Sequence, residues 1–254
     1  MNSVDRPGNV VLLAAGLGAR LRPLTVTVPK ALVLCIGWPM LAYALEIAKR
    51  VVRPGGRITV VGGYKAELVR EYLESDHPDV ALVVNPEFEK ANILSVAAGV
   101  RAVEGGFLLM NVDHIYPFAF ADRLTGTPGD VVAAVDHDRT LVADDMKVKL
   151  GPGRTVAGIS KRLTEFDVGY IGMTLVRDSG AAAWREAFEA VLAERPDTGV
   201  AEDVLQRLAD TGRPAATCDL SGLCWLEVDN LEDLENAEER LQDEPGFLHR
   251  TWEG

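Results

Sequence analysis

The sequence predicts an α/β protein with a Rossmann-like, mostly parallel sheet flanked by helices. Short apolar runs alternate with segments of helical periodicity in the first half of the chain, as in strands joined by crossover helices. Apolar residues make up 48% and charged residues 25% of the 254 residues, which is ordinary for a globular protein. No apolar run approaches about 18 residues, so we predict no membrane span.

The first half supplies the predicted sheet. Each predicted strand is a short apolar run, and each predicted helix carries apolar residues on one face. The predicted strands are residues 9–14, 57–61, 80–84, 106–110 and 130–135. The predicted helices are residues 39–51, residues 65–73 and a segment that begins at about residue 92.

The alternating pattern ends near residue 136. Residues 147–150 and 154–159 flank Gly-Pro-Gly, which predicts a β-hairpin. Helices are predicted over residues 179–192 and 200–209, and a last helix begins after Asp229-Asn230. The last helix is expected to carry four apolar residues inward, namely Leu231, Leu234, Ala237 and Leu241.

We expect a single domain over residues 1–242. Residues 140–175 are expected to form a β elaboration on the substrate side, and residues 243–254 a loose acidic tail. No stretch is rich enough in Gly, Ser or Pro to mark a domain boundary. The sequence leaves the oligomeric state open, and a homo-oligomer is possible through the apolar face of the last helix.

Charge and cysteine content narrow the class of protein. The net charge of −12 argues against a nucleic-acid partner, although a local cationic site for polyphosphate can exist on an acidic protein. Cys35, Cys218 and Cys224 are far apart and form no C-x-x-C, which indicates reduced thiols. With no signal peptide in the N-terminal residues, we predict a cytoplasmic protein.

A glycine loop directly after the first strand is the strongest local signal. In LAAGLGARL, the glycines let backbone N–H groups face a ligand and form an anion cradle. Arg20 and Lys30 can add positive charge to the same site. Leu21 stands where a dinucleotide-binding loop has its third glycine, and the G-K-[S/T] of a Walker loop is absent. The predicted nucleotide-binding residues here are Leu13, Ala14, Ala15, Gly16, Gly18 and Arg20.

Carboxylates in two places can bind Mg²⁺. Asp113 ends the fourth predicted strand, on the edge where the glycine loop lies. Glu227 and Asp229 share one face of a short predicted strand, and either can complete a magnesium site with Asp113, although Asp229 can also serve the following helix. We favour Asp229. His114 is expected to orient the loop or contact substrate, because a phosphate nucleophile needs no general base.

The strings LAAGLGARLRPLT, PKALV and GWPML resemble the signature of nucleotidyltransferases that activate sugar or alcohol phosphates. The resemblance implies the nucleotide-diphospho-sugar transferase type of Rossmann-like fold and a reaction that releases pyrophosphate. It supports Arg20, Lys30 and Asp113 as catalytic residues. The sequence departs from the signature at Ala19, where a Ser or Thr is usual.

Further strings resemble the cytidylyltransferases of inositol 1-phosphate and phosphocholine. They include NPEFEKANILS at residues 85–95, DHIY at 113–116, ISKRL at 159–163 and FDVGY at 166–170. The resemblance places Asn92 and Ser95 near the nucleotide. For the acceptor it implies His114, Lys161, Asp167 and Gly169; a lysine can bind the phosphate and an aspartate the hydroxyls.

The expected activity is Mg²⁺-dependent transfer of a nucleotidyl group, favouring cytidylyl from CTP, to a polyol phosphate such as inositol 1-phosphate. The alternatives are a hexose-1-phosphate thymidylyl-, guanylyl- or uridylyltransferase and a phosphocholine-type cytidylyltransferase. A nucleotide-sensing regulator on the same fold is the non-enzymatic alternative.

Overall fold

A computed structural model describes residues 6–251 of the chain. Residues 1–5 of the expected domain and residues 252–254 of the expected tail lie outside this range. The strands are β1 Asn9–Ala14, β2 Leu34–Cys35, β3 Trp38–Pro39, β4 Arg57–Gly62, β5 Ala81–Val84, β6 Phe107–Asn111, β7 His114–Ile115, β8 Val131–Asp136, β9 Lys147–Leu150, β10 Val156–Ser160, β11 Val168–Val176, β12 Ala216–Asp219 and β13 Leu226–Glu227. The α-helices are α1 Leu24–Thr27, α2 Met40–Val51, α3 Ala66–Asp76, α4 Asn92–Val100, α5 Ala119–Gly126, α6 Ala181–Glu194, α7 Ala201–Asp210 and α8 Leu231–Asp243.

The predicted α/β fold with a mostly parallel sheet is confirmed. Strands β5, β4, β1 and β6 are hydrogen-bonded in that order and all run parallel. In β1, Val10 and Leu12 belong to a core with α2, α3 and α5, whereas Val11 and Leu13 belong to a core with α4, α6 and α7. Because alternate residues of a strand face opposite sides, the sheet has helices on both faces.

Strand β11 runs antiparallel between β6 and β8, and β12 pairs with the other edge of β8. All nine of its residues are buried, although the sequence analysis placed only the β elaboration over this region. Its pairing with β8 shifts register between Tyr170 and Thr174, where Gly172 has a φ of 75°. A Cβ at Gly172 would lie 3.1 Å from His114 Cε1, so the bulge brings the strand close to the candidate site.

The predicted hairpin is present as β9 and β10, which pair antiparallel and extend the sheet through β9 and β11. It places the residues that follow β10 beside the carboxyl end of β6. The elaboration expected over residues 140–175 is therefore continuous with the main sheet.

The expectations for the C-terminal region need two corrections. Leu231 is 38% exposed instead of facing inward, because it lies in the first turn of α8, whereas Leu234 and Ala237 are buried. The tail is not loose within the described residues, since Phe247 is fully buried in a core with Met40. No helix between residues 6 and 251 is both long and apolar enough to cross a membrane.

Candidate active site

The glycine loop leaves β1 at the carboxyl edge of the sheet and folds back toward Lys30. Gly18 has a φ of 61°, and its carbonyl oxygen accepts a hydrogen bond from Thr25 Oγ1 at 2.9 Å. A Cβ at Gly18 would lie 2.8 Å from Cβ of Lys30, so a larger residue would displace the lysine. Gly16 has open space beside it and lines a pocket. The two glycines therefore serve different needs: Gly18 permits close packing, and Gly16 leaves the loop accessible.

Two carboxylates converge on the ammonium group of Lys30. Lys30 Nζ lies 3.0 Å from Asp113 Oδ2 and 2.5 Å from Asp229 Oδ1. The side chains of Lys30, Asp113 and Asp229 are 13%, 26% and 23% exposed, respectively. The predicted association of the glycine loop, the end of β6 and the segment before α8 is therefore present in the structure.

The pairing of β7 with β13 brings the two carboxylates together. Glu227 stands opposite His114, and the backbone N–H of Val228 donates to the carbonyl of Asp113 at 2.9 Å. Asn230 caps α8, as the sequence suggested. The cap does not engage the Asp229 side chain, which is directed toward Lys30.

A chain of ion pairs continues from this cluster across the surface. Arg20 Nη2 donates to Asp229 Oδ2 at 2.6 Å, and Arg20 Nη1 lies 3.4 Å from Asp144 Oδ2. Lys161 donates to the other oxygen of Asp144 at 2.6 Å. Arg20 is 60% exposed, so it can exchange these carboxylates for ligand oxygens. The chain connects the three predicted cations of the site.

His114 supports Asp113 from the buried side. His114 Nδ1 lies 2.6 Å from Asp113 Oδ1, and the imidazole stacks on Tyr116 with an interplanar angle of 4°. Burial opposes ionisation of Asp113, but His114 and Lys30 together hold the pKa of that carboxyl far below its usual range. Burial likewise disfavours a charged imidazole, yet the adjacent Asp113 raises the pKa of His114. Asp113 is therefore an ionised, oriented carboxylate.

Two pockets adjoin along this edge. The glycine-loop pocket, of about 250 Å³, is lined by Leu13, Ala15, Gly16, Phe88, Lys90, Asn92, Ser95, Asn111 and Asp113. The hairpin pocket, of about 220 Å³, is lined by Asn92, Asn111, His114, Arg139, Asp144, Asp145, Met146, Lys161, Tyr170, Gly172, Val200, Glu202, Trp225 and Glu227. Both pockets are lined by Asn92 and Asn111, so the two pockets are adjacent.

Most predicted nucleotide-binding residues face the glycine-loop pocket. Ser95 Oγ accepts a hydrogen bond from Asn85 Nδ2 at 3.0 Å, and Asn92 Oδ1 accepts from the N–H of Ala201 at 3.1 Å. Ala14 is buried and, like Gly18, does not line the pocket. Ala14 and Gly18 therefore act through backbone shape.

Two predicted acceptor residues lie outside both pockets. Asp167 accepts a hydrogen bond from the N–H of Leu150 at 2.8 Å and pairs with Lys149 at 3.2 Å, which ties β11 to β9. Gly169 packs against Leu141. Asp167 was expected to bind the acceptor hydroxyls, but its side chain is directed toward β9 and away from the pockets. His114 and Lys161, in contrast, line the hairpin pocket.

The sequence analysis missed several residues of the hairpin pocket. Arg139 donates to Glu227 at 3.1 Å, and Glu202 enters from the first turn of α7. Burial raises the pKa of Glu202. No local motif marks Arg139 or Glu202. Lys147 does not line the pocket; its buried ammonium donates to three backbone carbonyls, including that of Lys161 at 3.3 Å.

The carboxylate pair fits a divalent cation. Asp113 and Asp229 already converge on one cationic position, that of the Lys30 ammonium. Within residues 6–251, no group of three or more His, Cys, Asp or Glu side chains is arranged to hold a metal. Mg²⁺ commonly takes only one or two protein carboxylates and completes its shell with phosphate oxygens and water. Glu227 is instead directed toward His114 and Arg139.

Comparisons with known proteins identify the family of the chain and proteins of similar sequence and fold. A model of the MobA-like NTP transferase domain matches residues 10–211. The chain is 33% identical over 236 residues to a bifunctional IPC transferase and DIPP synthase of Rubrobacter xylanophilus, covering 91% of this chain and 51% of that protein. It is 34% identical over 177 residues to a 2-aminoethylphosphonate cytidylyltransferase of Lancefieldella rimae, covering 62% of this chain and 71% of that protein.

Among solved structures, the inositol-1-phosphate CTP transferase from T. maritima superposes with a TM-score of 0.75. The match covers 93% of this chain and 97% of that chain at 20% identity. This likeness shows a common fold. The chain spans about half the length of the Rubrobacter protein that it resembles.

Proposed function

The chain belongs to the MobA-like NTP transferase family, and on this premise we propose that it transfers a cytidylyl group from CTP to a phosphorylated polyol such as inositol 1-phosphate. The observation that carries the proposal is the pair of pockets that share Asn92 and Asn111, together with the cluster of Lys30, Asp113 and Asp229, of which Asp113 lines the glycine-loop pocket. The names of the Rubrobacter and T. maritima relatives support the choice of nucleotide and acceptor.

The proposed reaction is an in-line displacement at the α-phosphorus of CTP. An oxygen of the acceptor phosphate forms the new P–O bond, the bond from the α-phosphorus to the bridging oxygen breaks, and pyrophosphate leaves with that electron pair. The acceptor phosphate is largely dianionic at neutral pH, since its second pKa is about 6, so no group must remove a proton from it. The main barrier is the repulsion between two anions.

The cationic side chains of the site would reduce that repulsion. The ammonium of Lys30 lies 3.0 Å from Asp113, which lines the glycine-loop pocket, and Arg20 can reach phosphate oxygens from the exposed side. Positive charge at these positions would neutralise the pyrophosphate as it leaves. Removing one such preorganised contact costs about 3 kcal/mol, or a hundredfold in rate.

Asp113 and Asp229 would hold Mg²⁺. When bound, the cation would neutralise phosphate oxygens of both substrates. The low pKa of Asp113 keeps this ligand ionised throughout the neutral range. His114 would hold the Asp113 carboxylate in its orientation, because its Nδ1 lies 2.6 Å from Asp113 Oδ1.

The hairpin pocket would take the acceptor. Lys161 would contact the acceptor phosphate after releasing Asp144, and the Glu202 carboxylate would accept hydrogen bonds from ring hydroxyls. No side chain among residues 6–251 forms an ion pair with Glu202; its carboxylate accepts a hydrogen bond from its own backbone N–H and can still accept from ring hydroxyls.

Release of pyrophosphate from purified protein tests the proposal. Each of CTP, UTP, GTP and dTTP is combined with inositol 1-phosphate, glucose 1-phosphate or phosphocholine, with Mg²⁺ present. We expect the highest kcat/KM for CTP with inositol 1-phosphate, and loss of activity in EDTA that Mg²⁺ restores. Nucleotide binding without pyrophosphate release from any combination would instead favour a nucleotide sensor.

Two variants test the roles of Asp113 and His114 in the proposed reaction. Asp113→Ala is expected to lower kcat at least about a hundredfold without unfolding the protein. His114→Asn is expected to have a smaller effect, because the imidazole only positions Asp113. The reverse ranking would indicate that His114 acts as a general base.

A further inference from the structure

A resident arginine covers the aromatic wall of the hairpin pocket. The Arg139 guanidinium carbon lies 4.1 Å from the centroid of the Trp225 ring. The same guanidinium donates to Glu227 at 3.1 Å and lies 3.5 Å from Asp145. Arg139 therefore contacts one aromatic face and two carboxylates within a single pocket.

Trp225 is held firmly in this arrangement. Its indole N–H donates to the buried carboxylate of Asp136, which fixes the position of the ring. The His114 ring lies 4.9 Å from the Trp225 ring, so a second neighbour packs against it. A ligand therefore cannot gain access to the ring face simply by rotating the indole.

An aromatic face beside carboxylates is also what an organic cation requires. Quaternary ammonium groups bind over aromatic rings through cation–π attraction, and acidic side chains nearby strengthen the binding. In this pocket, Arg139 already occupies the Trp225 ring face and pairs with the carboxylates of Glu227 and Asp145. Lys161, which pairs with Asp144 at 2.6 Å, adds a second positive charge to the pocket lining. An acceptor with a cationic head group would be repelled by Arg139 and Lys161. It would also find the Trp225 ring face covered by Arg139.

We infer that Arg139 is a specificity-determining residue that excludes cationic acceptors, so that the acceptor is a neutral polyol phosphate and not an amine-bearing phosphate or phosphonate. The inference rests on the proposed function, which it deepens by fixing the chemical class of the acceptor. It separates this chain from its relative named for 2-aminoethylphosphonate, whose acceptor carries an amine.

The kinetic test compares acceptors in the full chain. Rates of pyrophosphate release with CTP and Mg²⁺ are measured for inositol 1-phosphate, phosphocholine and 2-aminoethylphosphonate. In Arg139→Gln, the ratio of kcat/KM for inositol 1-phosphate to that for phosphocholine is expected to fall about tenfold, mainly through a lower KM for phosphocholine. Arg139→Lys, which keeps the charge, is expected to retain most of the discrimination.

Arg101 provides a matched control. It also lies over an aromatic ring, 6.0 Å from that of Phe188, and pairs with Glu189 at 3.0 Å. Arg101 directly follows α4, contacts residues of α6 and lines neither pocket, so Arg101→Gln is expected to leave the acceptor ratio unchanged. An unchanged ratio in Arg139→Gln, or a wild-type preference for phosphocholine, would overturn the inference.

A binding measurement separates this inference from the proposed function. Calorimetric titration with tetramethylammonium is expected to show no binding to the wild type and measurable binding to Arg139→Gln. If the wild type transfers no cytidylyl group but this gain appears, the proposed function fails and the assignment of Arg139 stands. If the variant gains no binding, the assignment of Arg139 fails whatever the activity.

Discussion

Replacing Lys30 by methionine tests whether its ammonium and Mg²⁺ share one position. The substitution keeps the length of the side chain but leaves the carboxylates of Asp113 and Asp229 facing one another without a cation. Two unit charges 4 Å apart attract by about 4 kcal/mol at an effective dielectric constant near 20. Lys30 makes two closer contacts of this kind, at 3.0 and 2.5 Å.

The expected loss in the free energy of unfolding of Lys30→Met is smaller than this attraction. All three side chains keep some solvent exposure, and desolvation of the ammonium offsets part of the gain. We expect Lys30→Met to lower the free energy of unfolding by about 2 kcal/mol, below the cost of about 3 kcal/mol for breaking a fully buried pair. For a chain of this size, the melting temperature should fall by about 6 °C.

The effect of added Mg²⁺ distinguishes a shared position from a simple ion pair. In the wild type, the ammonium competes with Mg²⁺ for the same oxygens, so Mg²⁺ without nucleotide should raise the melting temperature little. In Lys30→Met, Mg²⁺ at about 100 times its Kd should add about 2.7 kcal/mol. Differential scanning calorimetry with and without Mg²⁺ measures both effects.

Lys49→Met is the control, because Lys49 pairs with Glu46 at 3.4 Å on the exposed surface of α2. Its expected cost is below about 1 kcal/mol, with no response to Mg²⁺. Equal stabilisation of Lys30→Met and wild type by Mg²⁺ would refute the shared position. So would an unchanged melting temperature in Lys30→Met.

Three further results are expected. Phe247→Ala should lower the free energy of unfolding by about 3 kcal/mol, measured by urea denaturation, because the ring is fully buried; a change below about 1 kcal/mol would restore the view of a loose tail. Gly18→Ala should lower kcat/KM at least about tenfold by displacing Lys30, since its Cβ would lie 2.8 Å from that of the lysine, and normal turnover would contradict the packing argument. At pH 8, iodoacetamide should label Cys224 in the native protein but not the buried Cys35 and Cys218. Burial raises the pKa of the Cys35 thiol to about 12, so this thiol stays protonated and unreactive. Equal labelling of the three cysteines, measured by mass spectrometry, would contradict this expectation.

The first half of the site could be predicted because its residues follow strands that the apolar pattern identifies. Asp113 follows β6 directly, and the glycine loop follows β1, so the parallel pairing of those strands brings both to one edge. The sequence also favoured Asp229 as the partner of Asp113, from its place on a short strand before the last helix, whereas the contact of Asp229 with Lys30 was not predicted. Local order along the chain was sufficient for these positions.

The acceptor side could not be predicted to the same extent because it depends on long-range packing. Glu202 lies in the first turn of α7, and hydrogen bonds from Ala201 N–H to Asn92 and from Ile93 N–H to the Gly199 carbonyl join the starts of α4 and α7. The Asp167 carboxylate could have accepted hydrogen bonds from hydroxyls. Its side chain is instead directed toward Lys149 and Leu150 of β9, outside both pockets. Arg139 stands in an irregular segment without periodicity, so no pattern distinguished it from a surface arginine.

The position of β11 has a consequence for how the protein is made. As the chain leaves the ribosome, β6 and β8 emerge before the strand that belongs between them, so both carry unpaired edges until about residue 176 has been synthesised. Nascent chains of intermediate length should therefore be the ones most prone to aggregate and most dependent on chaperones. Because Lys30 and Asp229 are 199 residues apart, the two ends of the reactive cluster can join only after residue 229 has been synthesised.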